Sequence, residues 1–252
     1  MITIHLLHKS FGKNRVLKGI DLTFEKPGIT AVLGPNGSGK TTLIKSILGM
    51  VLPEEGSIEV FNQNIRGAWK YRERIAYLPQ IARFPDNLRV KELIAMVKDL
   101  HGGHANEASL VSLFELQPYL DKRLGNLSGG TRQKVNLVLT FMYDCPIIIL
   151  DEPTAGLDPI SLVRLKELIE IQRKSGKTIL ITTHVMSLVE ELANEVVYLL
   201  DGQIHFRGSL SVLKETYGET SVERAIAALL EQEKKRMEFS ANSHHTFVPA
   251  QA

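Results

Sequence analysis

The chain has 252 residues, 44% of them hydrophobic and 23% charged, enough to bury a substantial core and ordinary for a globular protein. A formal net charge of +2 gives no polyelectrolyte argument for nucleic acid, and the single cysteine, Cys145, excludes an intramolecular disulfide. His5 and His8 break the apolar residues at the N-terminus, so no signal-peptide core is present, and the longest aliphatic run, Ile147 to Leu150, is far short of a membrane span.

The first two expected strands alternate apolar and polar residues: Ile2, Ile4 and Leu6, then Ile20, Leu22 and Phe24. Pro27-Gly28 makes a turn, and Ile29 to Leu33 reads as a buried strand ending at a glycine. Leu43, Ile44, Ile47 and Leu48 have helical spacing, and that helix is expected to end near Gly49. Glu54-Glu55-Gly56 reads as a turn before a strand at Ser57 to Phe61, and Ile75 to Leu78 is a further short strand. From Leu88 to Tyr143 the pattern is helical, with breaks at His101-Gly102-Gly103 and around Gly125.

Ile147 to Leu150 then has the continuous apolar character of a parallel strand buried on both faces. Asp158-Pro159 is an N-cap and first-turn pair for a helix carrying Leu162, Leu165, Leu168 and Ile169 and ending near Gly176. Thr178 to Thr182 is the next strand. Ser187 and Glu190 have the spacing of a capping box for the helix that follows. Asp201-Gly202 is a hairpin signal between Val196–Leu200 and Gln203–Phe206. Val222 to Phe239 reads as a helix with Ala225, Ile226, Leu229 and Leu230 apolar, and 240–252 as a flexible tail containing His244-His245. Strands alternating with helices indicate an α/β fold with a mainly parallel sheet, interrupted by a helical insertion at about 82–143.

Gly34-Pro35-Asn36-Gly37-Ser38-Gly39-Lys40-Thr41 fits the phosphate-binding loop G-x-x-x-x-G-K-[ST] and lies between a buried strand and a helix. Glycines there let successive backbone N–H groups, through Thr42, point at phosphate oxygens, and the helix N-terminus adds partial positive charge. Lys40 suits the β- and γ-phosphates and the Thr41 hydroxyl suits Mg²⁺. Asp151 and Glu152, at the end of the apolar strand, supply a carboxylate for the Mg²⁺ shell and a second to polarise an attacking water. These segments define a P-loop NTPase, a class that includes kinases, GTPases and motors.

Leu127-Ser128-Gly129-Gly130, placed shortly before the acidic strand, resembles the signature of ATP-binding cassettes. Gln80 after Tyr77-Leu78-Pro79 is similar to the Q-loop glutamine, Ala155-Gly156-Leu157-Asp158 to the D-loop, and His184 after Ile181-Thr182-Thr183 to the switch histidine. The resemblance spans about residues 2–215 and implies a cassette core with an N-terminal antiparallel β subdomain within an ATPase domain of 1–218. It implies ATP and Mg²⁺ as ligands, with Gln80 sensing the metal or the water. It also implies that two cassettes close head to tail, each ATP lying between one P-loop and the partner's signature. Ser128 reads as the N-cap of a helix with an apolar stripe of Val135, Val138, Leu139 and Met142, whose free N–H groups suit a γ-phosphate.

Phe11 resembles the aromatic that stacks on adenine, although a strand phenylalanine is equally read as core. Thr131 departs from the glutamine usual at the signature's fifth position. Phe84 and Leu88 in the insertion suit either a partner's coupling helix or the packing of the subdomain. The resemblance implies a membrane permease partner and a cytoplasmic location at the membrane, with no nucleic-acid partner. A soluble cassette doing mechanical work is the alternative. The segments Leu78–Pro85 and Gly130–Asn136 are similar to the ATPase of the copper-processing transporter that supports nitrous oxide reductase maturation.

Overall fold

The computed structural model describes residues 1–243. Among the described residues ten strands form two sheets. Strands β1 (Ile2–Phe11), β2 (Asn14–Phe24), β4 (Glu55–Val60) and β5 (Gln63–Asn64) make an antiparallel sheet in the order β2-β1-β4-β5. The second sheet contains β3 (Gly28–Leu33), β6 (Ile75–Leu78), β7 (Ile147–Asp151), β8 (Thr178–Thr182), β9 (Glu195–Leu200) and β10 (Gln203–Ser209), in the order β10-β9-β3-β8-β7-β6. All its pairings are parallel except the β9–β10 hairpin. The hairpin turn is Asp201-Gly202, and both residues have positive φ, 48° and 78°, as a two-residue turn matched to strand twist requires.

The parallel strands are apolar throughout because both faces are covered. Ile147 and Ile149 face a core shared with the antiparallel sheet and helix α1 (Lys40–Ile47). Ile148 and Leu150 face a second core shared with α2 (Val90–His101), α3 (Glu107–Leu113) and α4 (Gly129–Phe141), the helices between β6 and β7. A third core joins β3 and β9 to α7 (Leu210–Tyr217) and α8 (Val222–Ser243). Phe84 and Leu88 pack half-buried on the helical core. Ile81 is 70% exposed beside them.

Four expectations are corrected. Leu6 does not continue the buried face of β1: a bulge after Ile4 turns it outward at φ 43°, and Leu7 takes the core position. Gly56 fixes this bulge, since a Cβ there would lie 2.4 Å from the carbonyl oxygens of both His5 and Leu6. For that reason Glu55 and Gly56 belong to β4 and not to a preceding turn, and the strand ends at Val60 because Phe61 and Asn62 adopt positive φ in the next turn. Ser187 and Glu190 form no capping box, because α6 (Met186–Leu192) starts after Val185. The Glu190 carboxylate instead accepts from Val222 N–H at 2.8 Å and pairs with Lys214 at 3.1 Å. Finally, α8 continues past Phe239 to Ser243, which removes the first residues of the expected tail; His244, His245 and the rest of 244–252 lie outside the described residues.

Candidate functional site

The loop from Gly34 to Gly39 follows β3 directly and leads into α1 at Lys40. It lies too close to its neighbours for side chains at two points. A Cβ on Gly34, at φ 148°, would sit 2.0 Å from the Leu199 carbonyl oxygen, and one on Gly39, at φ 107°, would sit 2.9 Å from Leu17. The loop is therefore a backbone cradle held between β9 and β2. It closes through Ser38 N–H donating to Pro35 O at 3.2 Å and Gly202 N–H donating to Ser38 O at 3.2 Å.

A cavity of about 480 Å³ opens over this cradle. Asn36, Gly37, Gly39, Lys40, Thr41 and Thr42 line it together with Gln80, Asp151 and Glu152. Asn14 and Val16 of β2 line it as well. Neither carries a sequence motif; the signal for them is their place just past the turn after Phe11. Lys40 Nζ donates to Gly34 O at 2.7 Å and Pro35 O at 3.0 Å. Half-burial lowers the Lys40 pKa, and the Glu152 and Asp151 carboxylates partly oppose that shift.

Asp151 is 2% exposed at the end of β7. Its Oδ2 accepts a long 3.4 Å hydrogen bond from Thr41 Oγ1, and its Oδ1 accepts from Thr182 Oγ1 of β8. Burial, with the Asp151 charge as a second cause, pushes the nearby Tyr77 phenol up to about 12, so it stays neutral. Glu152 takes a positive φ of 52°, rare for a residue with a side chain. Its N–H donates to Thr182 O at 3.0 Å, and its Oε2 lies 2.9 Å from His184 Nδ1. The Glu152 side chain is 12% exposed and that of His184 81%, so the pair spans from cavity wall to solvent.

Phe11 stands at the β1–β2 turn, 53% exposed, with Lys9 Nζ 5.2 Å from its ring centroid. The core reading of this residue is thereby corrected: an exposed ring at a hairpin tip packs no interior. Ser128, Gly129 and Gly130 are not among the cavity's lining residues. Ser128 caps α4, its Oγ accepting from Thr131 N–H at 3.2 Å and lying 2.9 Å from Thr131 Oγ1. Thr131 therefore serves the cap turn within its own chain.

This helix start is fastened to the loop after β7. A Cβ on Gly130 would be 2.5 Å from Gly156 O, Gln133 Nε2 donates to Pro153 O at 3.0 Å, and Lys134 Nζ pairs with Asp158 Oδ2 at 2.7 Å. Asp158 in turn caps α5 (Pro159–Lys174), accepting from Ser161 N–H at 2.9 Å. The Lys134 ammonium first, then the Ser161 donors, hold the Asp158 carboxyl well below the usual range. Among the described residues no helix is long and apolar enough to cross a membrane.

A family model described as ABC transporter matches residues 17–155. An uncharacterised ABC transporter ATP-binding protein of Bacillus subtilis, YhaQ, is 31% identical over 227 residues, covering 88% of this chain and 76% of that one. The ABC transporter ATP-binding protein NatA of the same organism is 32% identical over 227 residues, covering 86% and 92%. Among solved structures, an ATP-binding subunit of an ABC transporter matches with a TM-score of 0.85 at 27% identity, over 91% of this chain and 99% of that one. A dimeric ATP-binding cassette in a post-hydrolysis state, bound to ADP and Pi, shares the fold with a TM-score of 0.75 at 23% identity, over 83% and 99%. With the backbone cradle, the acid pair and the capped helix in one fold, the chain belongs to the ABC transporter family as one of its ATP-binding, ATP-hydrolysing subunits.

Proposed function

We propose that this subunit hydrolyses Mg-ATP with Glu152 as general base, in sites completed by a second cassette, and thereby drives a separate membrane permease. The observation that carries the reading is that Glu152, which lines the cavity with Lys40 and Thr41, lies 2.9 Å from the exposed His184 imidazole. The triphosphate would lie along the backbone of Gly34 to Gly39 with Lys40 and Thr42 at its β and γ groups. Phe11 offers an exposed ring face for adenine.

The residues present suit Mg²⁺: Thr41 Oγ1 and Asp151 Oδ2 lie 3.4 Å apart beside the cradle, and Gln80 lines the same cavity. When bound, the metal would offset phosphate charge, and Thr41, Asp151 and Gln80 would hold it. Glu152 Oε takes a proton from the water that attacks the γ-phosphorus; the bond from phosphorus to the β,γ-bridging oxygen breaks, giving ADP and phosphate. His184 keeps the Glu152 carboxylate aimed at that water.

The exposed Ser128 cap and the free N–H groups of Gly129 and Gly130 lie outside the cavity of their own chain, which supports their use by a partner's nucleotide in a head-to-tail dimer. The transporter relatives favour a membrane permease, and with it a cytoplasmic position at the membrane, over mechanical work by a soluble cassette. The narrower likeness to a copper-processing transporter rests on Leu78–Pro85 and Gly130–Asn136 alone, and none of the relatives above carries that description. Glu152→Gln tests the chemistry: ATP should still bind while phosphate release falls by roughly a hundredfold or more, in line with losing a general base. Turnover equal to the parent protein would remove Glu152 from that role.

A further inference from the structure

One buried hydroxyl touches both members of the acid pair. Thr182, at the end of β8, is fully buried, at 0% exposure. Its Oγ1 donates to Asp151 Oδ1, and the same oxygen accepts from Glu152 N–H at 3.2 Å. Asp151's other oxygen faces Thr41, and Glu152's carboxylate meets His184. A continuous line of contacts therefore runs Thr41–Asp151–Thr182–Glu152–His184, from α1 across β7 to the end of β8, and Thr182 is its middle link.

The hydroxyl has two consequences. Asp151 is almost wholly buried, and with Oδ1 held its carboxylate plane is fixed, so that Oδ2 is the oxygen left toward Thr41 and the cavity. Glu152 sits at φ 52°, a conformation that a residue with a side chain keeps only when neighbours impose it. The hydroxyl acceptor and the Thr182 carbonyl share its N–H and hold it there.

We propose that Thr182 is a positioning residue for ATP hydrolysis, setting through its hydroxyl both the metal-facing oxygen of Asp151 and the reach of Glu152. This rests on the roles given to Asp151 and Glu152 above. The methyl group is incidental to this function, so serine should replace threonine and valine should not.

The test compares T182V, T182A and T182S with the parent chain and with E152Q. In T182V, kcat for ATP should fall about tenfold or more, the scale of losing a hydrogen bond to a charged group, while KM changes less than about twofold. The Mg²⁺ concentration needed for half-maximal binding of a fluorescent ATP analogue should rise about threefold or more, a readout independent of turnover. T182A should repeat both effects without the added methyl, and T182S should restore both to within about twofold of the parent. Melting midpoints of all five proteins guard against simple unfolding, since Glu152 N–H keeps its carbonyl partner in each Thr182 variant. The proposal is overturned if T182V and T182A turn over normally, or if T182S is as impaired as they are. A normal rate in E152Q would instead defeat the underlying reading of the acid pair, so the two failures are separable.

Discussion

Asp158 offers a quantitative check on how the signature helix is tied to the rest of the cassette. Substituting alanine removes three contacts at once: the cap bond from Ser161 N–H at 2.9 Å, the bond from Ser161 Oγ at 2.8 Å, and the pair with Lys134 at 2.7 Å. Loss of the cap costs about 1 kcal/mol. Ser161 is 0% exposed, so its stranded hydroxyl adds about 1–2 kcal/mol. The Asp158 side chain is 47% exposed, so the Lys134 pair is screened and contributes less than about 1 kcal/mol. The sum is about 3 kcal/mol, a fall in melting midpoint of roughly 6–12 °C for a chain of this size. Asparagine keeps one oxygen for the Ser161 N–H but puts an amide NH2 where Oδ2 met Ser161 Oγ and Lys134. The Ser161 hydroxyl can turn to accept from that amide, so D158N should keep the cap and lose no more than about half of that.

The pH dependence has a definite sign. The native carboxyl is held below its ordinary value of 3.8, so its ionic contribution is fully present above 3.8 and is lost as the pH falls through the native value. The gap between parent and D158A midpoints should therefore be flat from neutral pH down to about 5 and narrow below about 4. Calorimetry of parent, D158A and D158N across that range decides the matter. Equal midpoints for parent and D158A, or equal losses in both variants, would refute the assignment of the cap and the pair.

Lys40→Ala should weaken ATP binding at least about tenfold, because a charge-assisted contact with phosphate is lost; isothermal titration giving parental affinity would count against the cradle. Phe11→Ala should weaken ATP binding by about 1–3 kcal/mol through lost base stacking. The ring is 53% exposed, so the melting midpoint should stay unchanged, and a large destabilisation would return Phe11 to the core.

Much of this arrangement is written locally in the sequence. The cap at Ser128 and the Asp158-Pro159 start of α5 each depend on neighbours within a few residues, and each stands where its local pattern places it. The P-loop also stands between its strand and helix, although Gly34 and Gly39 are demanded by Leu199 and Leu17 elsewhere in the chain. The β1 bulge is different. Its cause lies in Gly56 on another strand and in Asp21, whose Oδ1 accepts from Leu6 N–H at 2.9 Å, so alternation alone points to the wrong leucine. Glu190 likewise has the spacing of a capping residue but is claimed by Val222 and Lys214 from the C-terminal helices. Thr182 stands in the sequence only as part of the run before His184; its contact with the acid pair follows from the parallel register that sets Asp151 opposite it. Lys134 and Gln133 belong to the same category, since their partners lie in the loop after β7.

The central claim is that each ATP site is shared between two chains, and sedimentation of E152Q with Mg-ATP tests it most directly. The account predicts a nucleotide-dependent dimer that E152Q/S128R cannot form, although S128R should still bind ATP because Ser128 does not line its own chain's cavity. A monomer at saturating ATP, or a dimer indifferent to the arginine, would contradict it.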